Sequence, residues 1–285
     1  MSALLELRDV SYSYDPQAKE PRWAVRHVSL SIEEGEFIAL IGHTGSGKST
    51  LIQFMDGLLQ PTEGTVLFKG QDTREKGFSM KELRQNVGLV FQYPEHQLFE
   101  LTLLKDVCYG PKNLKLPKEE QEARAKEALT LVGFSEEDFE RSPFDLSGGR
   151  KRRAAIAGVL AMKPSMLILD EPAAGLDPKG RDDLMEMLRR LNEEQHTTIL
   201  MVTHSMEDAA SYAKRVLVMN HGEMMLDGQT REVFAHYDEL TGSGLSVPEP
   251  SIALRTLREK GVPVGTDALT TEEARDEILR VFGRK

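Results

Sequence analysis

The sequence predicts an α/β fold built around a largely parallel sheet. Four short apolar runs carry this prediction, because each is uninterrupted and ends in polar or glycine residues, as strands buried on both faces do. They occupy residues 37–41, 87–91, 166–169 and 198–202. Helical patterns such as 181–192 lie between them, and this alternation is typical of a parallel sheet that binds ligands at the carboxyl ends of its strands.

Alternating apolar residues predict a second, antiparallel element. Residues 5–14 and 28–32 have the alternation of partly exposed strands. The turn Asn220-His221-Gly222 predicts a hairpin at the end of the core. From about 94 to 164 the pattern becomes helical, which we interpret as an inserted helical subdomain.

The last part of the chain is predicted to be a small separate unit. Residues 241–250 are rich in glycine, serine and proline and are interpreted as a linker. A helix is expected from about 271 to 282. We therefore expect one domain over 1–240 and a C-terminal extension over 241–285.

The composition excludes several classes of protein. The net charge of −10 and the pI near 5.3 oppose binding to nucleic acid. The basic cluster 150–153 is the contrary sign, and is interpreted as a solvated helix start or an interface patch. The longest uncharged apolar run, 154–162, is shorter than the ~20 residues of a membrane span. The first residues lack the features of a signal peptide, and the single Cys108 permits no internal disulfide.

A phosphate-binding motif (Walker A) follows the first buried run. Residues 42–49 match GxxxxGK[ST] between a predicted strand and a helix-compatible stretch, which is the context that the motif requires. Lys48 is expected to reach the β- and γ-phosphates of ATP, and Ser49 to offer its hydroxyl to Mg²⁺. The predicted nucleotide-binding set is Gly42, His43, Thr44, Gly45, Ser46, Gly47, Lys48, Ser49 and Thr50.

Two adjacent carboxylates end another buried run. Asp170 and Glu171 would be costly to bury without a cation or a proton to receive. We expect Asp170 to hold Mg²⁺ and Glu171 to polarise the attacking water as general base.

A third motif, Asp145-Leu146-Ser147-Gly148-Gly149, stands directly before a predicted helix. On its own it is better explained as a capped helix with a flexible start, but it resembles the signature motif of the ABC ATPase family. The resemblance implies a P-loop (RecA-like) core with an antiparallel β subdomain, an inserted helical subdomain and a small C-terminal extension. It also implies that Ser147, Gly148 and Gly149 bind the γ-phosphate of a nucleotide held by a second subunit.

Further residues match that family in order. Gln92 is similar to the Q-loop residue, which senses the γ-phosphate and the metal, and His204 is similar to the switch histidine. Residues 174–177 resemble the D-loop, which crosses to the opposite site. Tyr14 is similar to the aromatic residue that stacks on adenine, with Tyr12 as the competing candidate.

Residues 91–99 narrow the resemblance to the ATPases of energy-coupling factor transporters, which take up vitamins and metal ions. Residues 42–44 and 155–160 are similar to the second, CbiO-like member of the ATPase pair. The resemblance implies a second ATPase subunit, in a heterodimer or a homodimer. It also implies a transmembrane scaffold, a membrane substrate-binding subunit and a peripheral position at the cytoplasmic face of the cell membrane.

Three features are expected to contact these partners. Leu98 and Phe99 are apolar within a polar loop, which marks either a partner contact or burial in the helical subdomain. Glu95 is expected to meet a basic residue of the partner. The extension 241–285 is expected to hold the two ATPases together.

Two residues depart from the family pattern. Arg150 stands where the signature normally has Gln, and Ala173 stands where the family normally has Thr. A guanidinium adds a positive charge, so we expect the composite site that uses this signature to handle ATP differently.

The rival classes are soluble ABC proteins. Those of DNA repair place a very long coiled coil between the motifs, whereas only about 100 residues separate Lys48 from Ser147. Those of translation carry two cassettes in one chain, and this sequence holds one.

Overall fold

The computed structural model describes residues 3–19 and 21–283. The strands in that part of the chain are β1 (Leu5–Ser13), β2 (Trp23–Ile32), β3 (Phe37–Ile41), β4 (Glu63–Phe68), β5 (Gln71–Asp72), β6 (Val87–Val90), β7 (Met166–Asp170), β8 (Thr198–Val202), β9 (Arg215–Asn220) and β10 (Glu223–Gln229). The helices are α1 (Lys48–Met55), α2 (Met80–Asn86), α3 (Leu103–Val107), α4 (Tyr109–Asn113), α5 (Lys118–Leu131), α6 (Gly148–Leu160), α7 (Pro178–Gln195), α8 (Met206–Tyr212), α9 (Thr230–Ala235), α10 (Tyr237–Gly242), α11 (Glu249–Glu259) and α12 (Thr271–Phe282). Short 3₁₀ turns lie at Pro94–Gln97, Glu136–Asp138 and Pro143–Asp145.

The uninterrupted apolar runs form the parallel part of a six-stranded sheet. Its order is β10-β9-β3-β8-β7-β6, and the strands from β9 to β6 run parallel. The central strands β3 and β8 are buried at every position, because helices and the second sheet cover the two faces. The predicted α/β class and the hairpin of β9 with β10 are confirmed.

The alternating segments form an antiparallel sheet of order β2-β1-β4-β5. Its inward side chains share one apolar core with α1 and one face of the parallel sheet. Strands β4 and β5 were not expected from the sequence. Gly64 and Gly70 interrupt that stretch, and glycine normally weakens a strand.

The expected helical subdomain lies between β6 and β7. It contains α3, α4, α5 and α6, and its apolar residues join the core on the opposite face of the parallel sheet. Helix α6 begins at Gly148, so the signature motif stands at the helix start, as the sequence predicts.

The C-terminal part has a small core of its own, formed by Leu254, Val264, Ala268 and Ala274 between α11 and α12. The stretch interpreted as a linker is packed, because Leu245 and Val247 are buried in the main core. Helix α11 was also not expected from the sequence. The side chain of Arg231 in α9 contacts Glu273 and the carbonyl of Asp267, which ties this unit to the core.

Within the described residues, no helix combines the length and the apolar character needed to cross a membrane.

Candidate active site

The phosphate loop lies between β3 and α1 and is shaped by glycines. Gly42 and Gly47 have φ of 154° and 102°. A Cβ on Gly42 would lie 2.4 Å from the carbonyl oxygen of Met219, and one on Gly47 would lie 2.3 Å from that of Ala24. The loop is also braced by the β9–β10 turn, where Gly222 N–H donates to the carbonyl of Ser46 at 3.0 Å. A side chain at either glycine would therefore displace the loop backbone.

Lys48 is buried at the first position of α1. Its ammonium donates to the carbonyls of Gly42 at 2.6 Å and His43 at 3.0 Å. Burial lowers the pKa of Lys48, and the carboxylates of Glu171 and Asp170 oppose that change. The predicted phosphate lysine and the predicted carboxylates thus share one electrostatic environment.

The parallel sheet brings the catalytic candidates together because their strands end at the same edge. In the register of the sheet, Val202 of β8 pairs with Leu40 of β3 and Asp170 of β7. The chain then turns sharply at Glu171, whose φ is 51° and whose N–H donates to the carbonyl of Val202 at 3.0 Å. A positive φ at a non-glycine residue is uncommon, and here it directs a carboxylate away from the strand direction.

His204 follows β8 and lies beside Glu171. Its Nε2 is 3.3 Å from Glu171 Oε1. Partial burial and the Lys48 ammonium lower the pKa of His204, so its ring is neutral at pH 7. Gln92 follows β6, the neighbour of β7, and its side chain is exposed at the same edge.

The carboxylates are held in a setting that disfavours their charge. Burial raises the pKa of Asp170, although Lys48 opposes the change. Burial and the charge of Asp170 raise the pKa of Glu171. A divalent cation would relieve both effects, and a raised pKa brings a general base closer to neutral pH.

Buried polar atoms without hydrogen bonds indicate whether ATP and Mg²⁺ fit this site. Ser46 Oγ and Glu171 Oε1 are buried and make no hydrogen bond among the described residues, and the neutral His204 Nε2 lies 3.3 Å from that Glu171 oxygen. Buried polar atoms are normally paired, and a phosphate group and a water with its cation would pair them. The residues present therefore fit a magnesium nucleotide.

Comparisons with known proteins agree with this geometry. Residues 25–174 match the protein family described as ABC transporter. The chain belongs to that family. A protein of Clostridium tetani named energy-coupling factor transporter ATP-binding protein EcfA2 is 49% identical over 282 residues, which cover 99% of this chain and 98% of the relative. The protein of Bacillus licheniformis with the same name is 47% identical, covering 98% of this chain and 97% of the relative.

Solved structures of ABC cassettes have the same fold. The structure of cbiO1 from Clostridium perfringens, described as part of the ABC transporter complex cbiONQ, has a TM-score of 0.76 and 34% identity, covering 91% of this chain and 99% of that one. The dimeric cassette MJ0796, bound to ADP and Pi after hydrolysis, has a TM-score of 0.70 and 33% identity, covering 79% and 98%.

The family confirms the type of ATPase that the motifs predict. This ABC protein is an ATP-binding subunit that uses ATP and Mg²⁺ and couples hydrolysis to transport. The soluble classes of DNA repair and translation are not favoured, because these relatives match nearly the whole chain and are transporter subunits.

The signature of this ABC protein lies apart from its own phosphate loop. Ser147, Gly148 and Gly149 line a cleft of about 760 Å³ together with Leu176 and Asp177 of the D-loop, and none of residues 42–50 lines it. Ser147 makes no side-chain hydrogen bond to its own helix, so the interpretation as a simple helix cap does not explain it.

The two tyrosines near the phosphate loop have different surroundings. Tyr14 is 68% exposed, and its hydroxyl lies 3.0 Å from Thr50 Oγ1 at the start of α1. Tyr12 packs its ring against Phe54 in the core, with centroids 5.6 Å apart. The exposed ring of Tyr14 is therefore the one of the two with a face open to a planar ligand.

Arg150 is directed into the helical subdomain. Its Nη2 lies 2.7 Å from Asp138 Oδ2, and its guanidinium stacks on Phe134 at 4.9 Å from the ring centroid. Arg150 shares Asp138 with Arg141, whose Nη1 lies 3.2 Å from Asp138 Oδ1. Arg150 also lines the cleft of Ser147, Gly148 and Gly149. Part of the added charge that was expected beside the nucleotide is therefore paired within the subdomain. Ala173, the other departure, lies in the turn after Glu171, and nothing in the structure explains it.

Arg150→Gln is expected to change turnover by at most about fivefold, because a partly exposed ion pair is worth about 0.2–1 kcal/mol. The effect should be confined to the site formed with the phosphate loop of the partner. The measurement is ATP hydrolysis by the assembled dimer with the general base of one subunit inactivated at a time. A large change at the site that uses Lys48 of this chain would contradict the prediction.

Arg152 is a residue of this region whose position was not expected from the sequence. Arg152 was included in a cluster interpreted as a solvated helix start or an interface patch, but it is buried. Its burial could not be predicted, because Arg152 stands among the basic residues Arg150, Lys151 and Arg153, and a run of like charges does not indicate which side chain faces inward.

Proposed function

We propose that this chain is the ATPase of an importer for vitamins or metal ions and acts as a peripheral subunit at the cytoplasmic face of the cell membrane. The observation that carries the proposal is the extent of the similarity to ATP-binding proteins of energy-coupling factor transporters. It covers 99% of this chain, including the helical subdomain and the C-terminal extension, so it extends well beyond a shared ATPase core, which alone would not specify a function.

In this proposal each residue of the site has a role. The backbone of residues 42–47, Lys48 and Thr50 hold the phosphates, and Tyr14 stacks on the adenine. Ser49, Asp170 and Gln92 hold Mg²⁺, which when bound neutralises charge on the phosphates. Glu171 accepts the proton of the attacking water, and neutral His204 orients that water and the γ-phosphate.

The site is proposed to be completed by a second ATPase subunit. Ser147 and Gly149 stand at the start of a 13-residue helix, whose N–H groups and dipole favour a phosphate. Because these residues line a cleft separate from the phosphate loop of the same chain, they serve a nucleotide bound by the partner. Catalysis therefore depends on pairing, in a heterodimer with a second cassette or in a homodimer.

The C-terminal extension, residues 241–285, supplies the proposed pairing contact. Leu279 and Phe282 of α12 are each 57% exposed, one helical turn apart. Their neighbours Ala274 and Ile278 pack inward against α11, so the two large apolar side chains are presented outward by a supported helix.

Membrane coupling is proposed at the loop after Gln92 and the following helices. Phe99, Leu101 and Tyr109 are 56%, 75% and 46% exposed, and the rings of Phe99 and Tyr109 pack edge to face at 5.0 Å. Asp106 fixes this patch by accepting hydrogen bonds from the N–H groups of Phe99 and Glu100 at 2.9 and 2.8 Å. We call Phe99, Leu101 and Tyr109 the coupling patch.

Two sequence expectations about this loop are corrected. Leu98 is buried in the main core, so only Phe99 of the expected pair is available to a partner. Glu95 pairs with Arg152 of its own chain at 3.1 Å, which removes the basis for a contact with a basic residue of the partner.

The proposal is tested by purifying a tagged copy from membranes and identifying its companions. We expect a second ATPase, a transmembrane scaffold and a small membrane protein, and ATP-dependent uptake when the four are reconstituted. Leu279→Ser with Phe282→Ser in the tagged copy should reduce recovery of the second ATPase while ATP binding by the subunit survives. Purification of a monomer without any membrane protein would contradict the proposed function, and full recovery of the double variant with its partner would contradict the role of the extension.

A further inference from the structure

Arg152 places a buried positive charge between two functional loops. It lies in α6, one turn after the start of the helix, and the residue is 2% exposed. A guanidinium out of water is unfavourable unless its N–H groups are paired. Its partners therefore show which parts of the chain it holds together.

Those partners come from two separate segments of the chain. Arg152 Nε and Nη2 donate to the two carboxylate oxygens of Glu95, at 3.2 and 3.1 Å. Its Nη1 donates to the carbonyls of Pro172 at 3.0 Å and Ala174 at 2.5 Å. Burial by itself would raise the pKa of Glu95, but the hydrogen bonds from Arg152 hold that pKa below its usual value, so the carboxylate is charged at pH 7.

The partners of Arg152 belong to two different loops of the active site. Glu95 lies in the 3₁₀ turn Pro94–Gln97, which starts two residues after Gln92 and leads toward the coupling patch. Pro172 and Ala174 lie in the turn that begins at Glu171, where Ala174 N–H donates back to the carbonyl of Glu171 at 3.2 Å. That turn continues to Asp177, the N-cap of α7.

We propose that Arg152 is a positioning residue for ATP hydrolysis, which fixes the loop after Gln92 to the turn that carries Glu171. The inference rests on the proposed role of Glu171 as general base. Arg152 acts on that base through the backbone carbonyls of Pro172 and Ala174, and it links their position to that of Glu95 in the loop after Gln92. A shift of Glu95 then displaces the turn that follows Glu171, since the same planar group holds Glu95 and the carbonyls of Pro172 and Ala174.

The geometry depends on a guanidinium. Its fork of N–H donors points in several fixed directions within one plane, so it can bind a carboxylate on one edge and two carbonyls on another. An ammonium keeps the charge but offers a single donor atom, which cannot reach both sides in the same way. Arg152→Lys thus keeps the positive charge at this position and removes the geometry that links the two loops.

The test compares steady-state hydrolysis in the complex purified with its partners, with the general base of the partner ATPase inactivated. Arg152→Lys should lower kcat by about 10- to 100-fold while the KM for ATP stays within about twofold, because a displaced base affects the chemical step and not the binding of substrate. Arg124→Lys is the matched control, since Arg124 lies in the same subdomain and pairs with Glu120 at the surface of α5. The control should retain the wild-type rate.

A second variant tests the same contacts from the other side. Glu95→Gln keeps an acceptor oxygen and removes the charge, so we expect kcat to fall in the same way. The double variant Arg152→Lys, Glu95→Gln should be no slower than the slower single variant, because both remove one linkage. Additive losses, or a rise in KM with kcat unchanged, would overturn the positioning role.

Two further outcomes are decisive. If Arg152→Lys does not fold, Glu95→Gln decides alone, and a wild-type kcat in that variant would refute the linkage. Glu171→Gln assayed in parallel separates the two claims. Normal hydrolysis by Glu171→Gln would refute the base assignment, whereas wild-type rates for Arg152→Lys and Glu95→Gln beside an inactive Glu171→Gln would refute the positioning role alone.

Discussion

Replacing Glu171 by Gln is expected to lower ATP hydrolysis by about 10²–10⁴-fold, the usual scale for loss of a general base. Binding of ATP should survive, because the phosphate loop and Lys48 are untouched and Gln retains the size of the side chain. Burial and Asp170 raise the pKa of Glu171, which suits a group that must accept a proton near neutral pH. The measurement is hydrolysis by the full complex with the base of the partner inactivated, together with nucleotide binding by the same preparation.

Lys48→Ala supplies the contrasting variant. Its ammonium lies in the phosphate loop, within hydrogen-bond distance of two loop carbonyls. Its loss should therefore weaken nucleotide binding itself. A Glu171→Gln complex that hydrolyses ATP at the wild-type rate would show that Glu171 is not the general base.

The parts of this site that follow strands were predictable from the sequence. A buried parallel strand is an uninterrupted apolar run, and parallel strands of one sheet end at the same edge. Residues just after such runs, including Lys48, Asp170, Glu171 and His204, therefore had to lie near one another. The structure places them there, with Glu171 and His204 in contact.

The surroundings of these residues were not predictable in the same way. The position of Arg152 depends on how α6 packs against two loops about 57 and 20 residues away along the chain, and no local pattern encodes that packing. Helix α11 was not predicted for a different reason. Pro248 and Pro250 look like linker residues, yet proline is also favoured in the first turn of a helix.

The sequence also did not show which of two neighbouring loop side chains is exposed. Leu98 and Phe99 are neighbours of similar apolar character, but one is 7% exposed and the other 56%. Their opposite directions follow from the 3₁₀ turn before them and from the Asp106 carboxylate, which holds the N–H of Phe99. An interface prediction from sequence needed the structure to choose between them.

Changing Phe99 and Leu101 together to Ser is expected to release this ATPase from its membrane partners or to abolish uptake. Exposed apolar patches mark contact sites, and losing anchors of at least about 2 kcal/mol weakens binding by roughly 30-fold or more. The fold should survive, because Leu98 remains in the core and neither changed side chain is buried. Leu58→Ser with Leu131→Ser is the matched control, since these leucines are 47% and 39% exposed and lie outside the coupling patch.

The measurements are recovery of the membrane subunits with a tagged copy, uptake by the reconstituted complex, and ATP binding by the subunit. If the Phe99, Leu101 variant assembles and supports uptake like the control, then the loop after Gln92 does not carry the signal from ATP to the membrane.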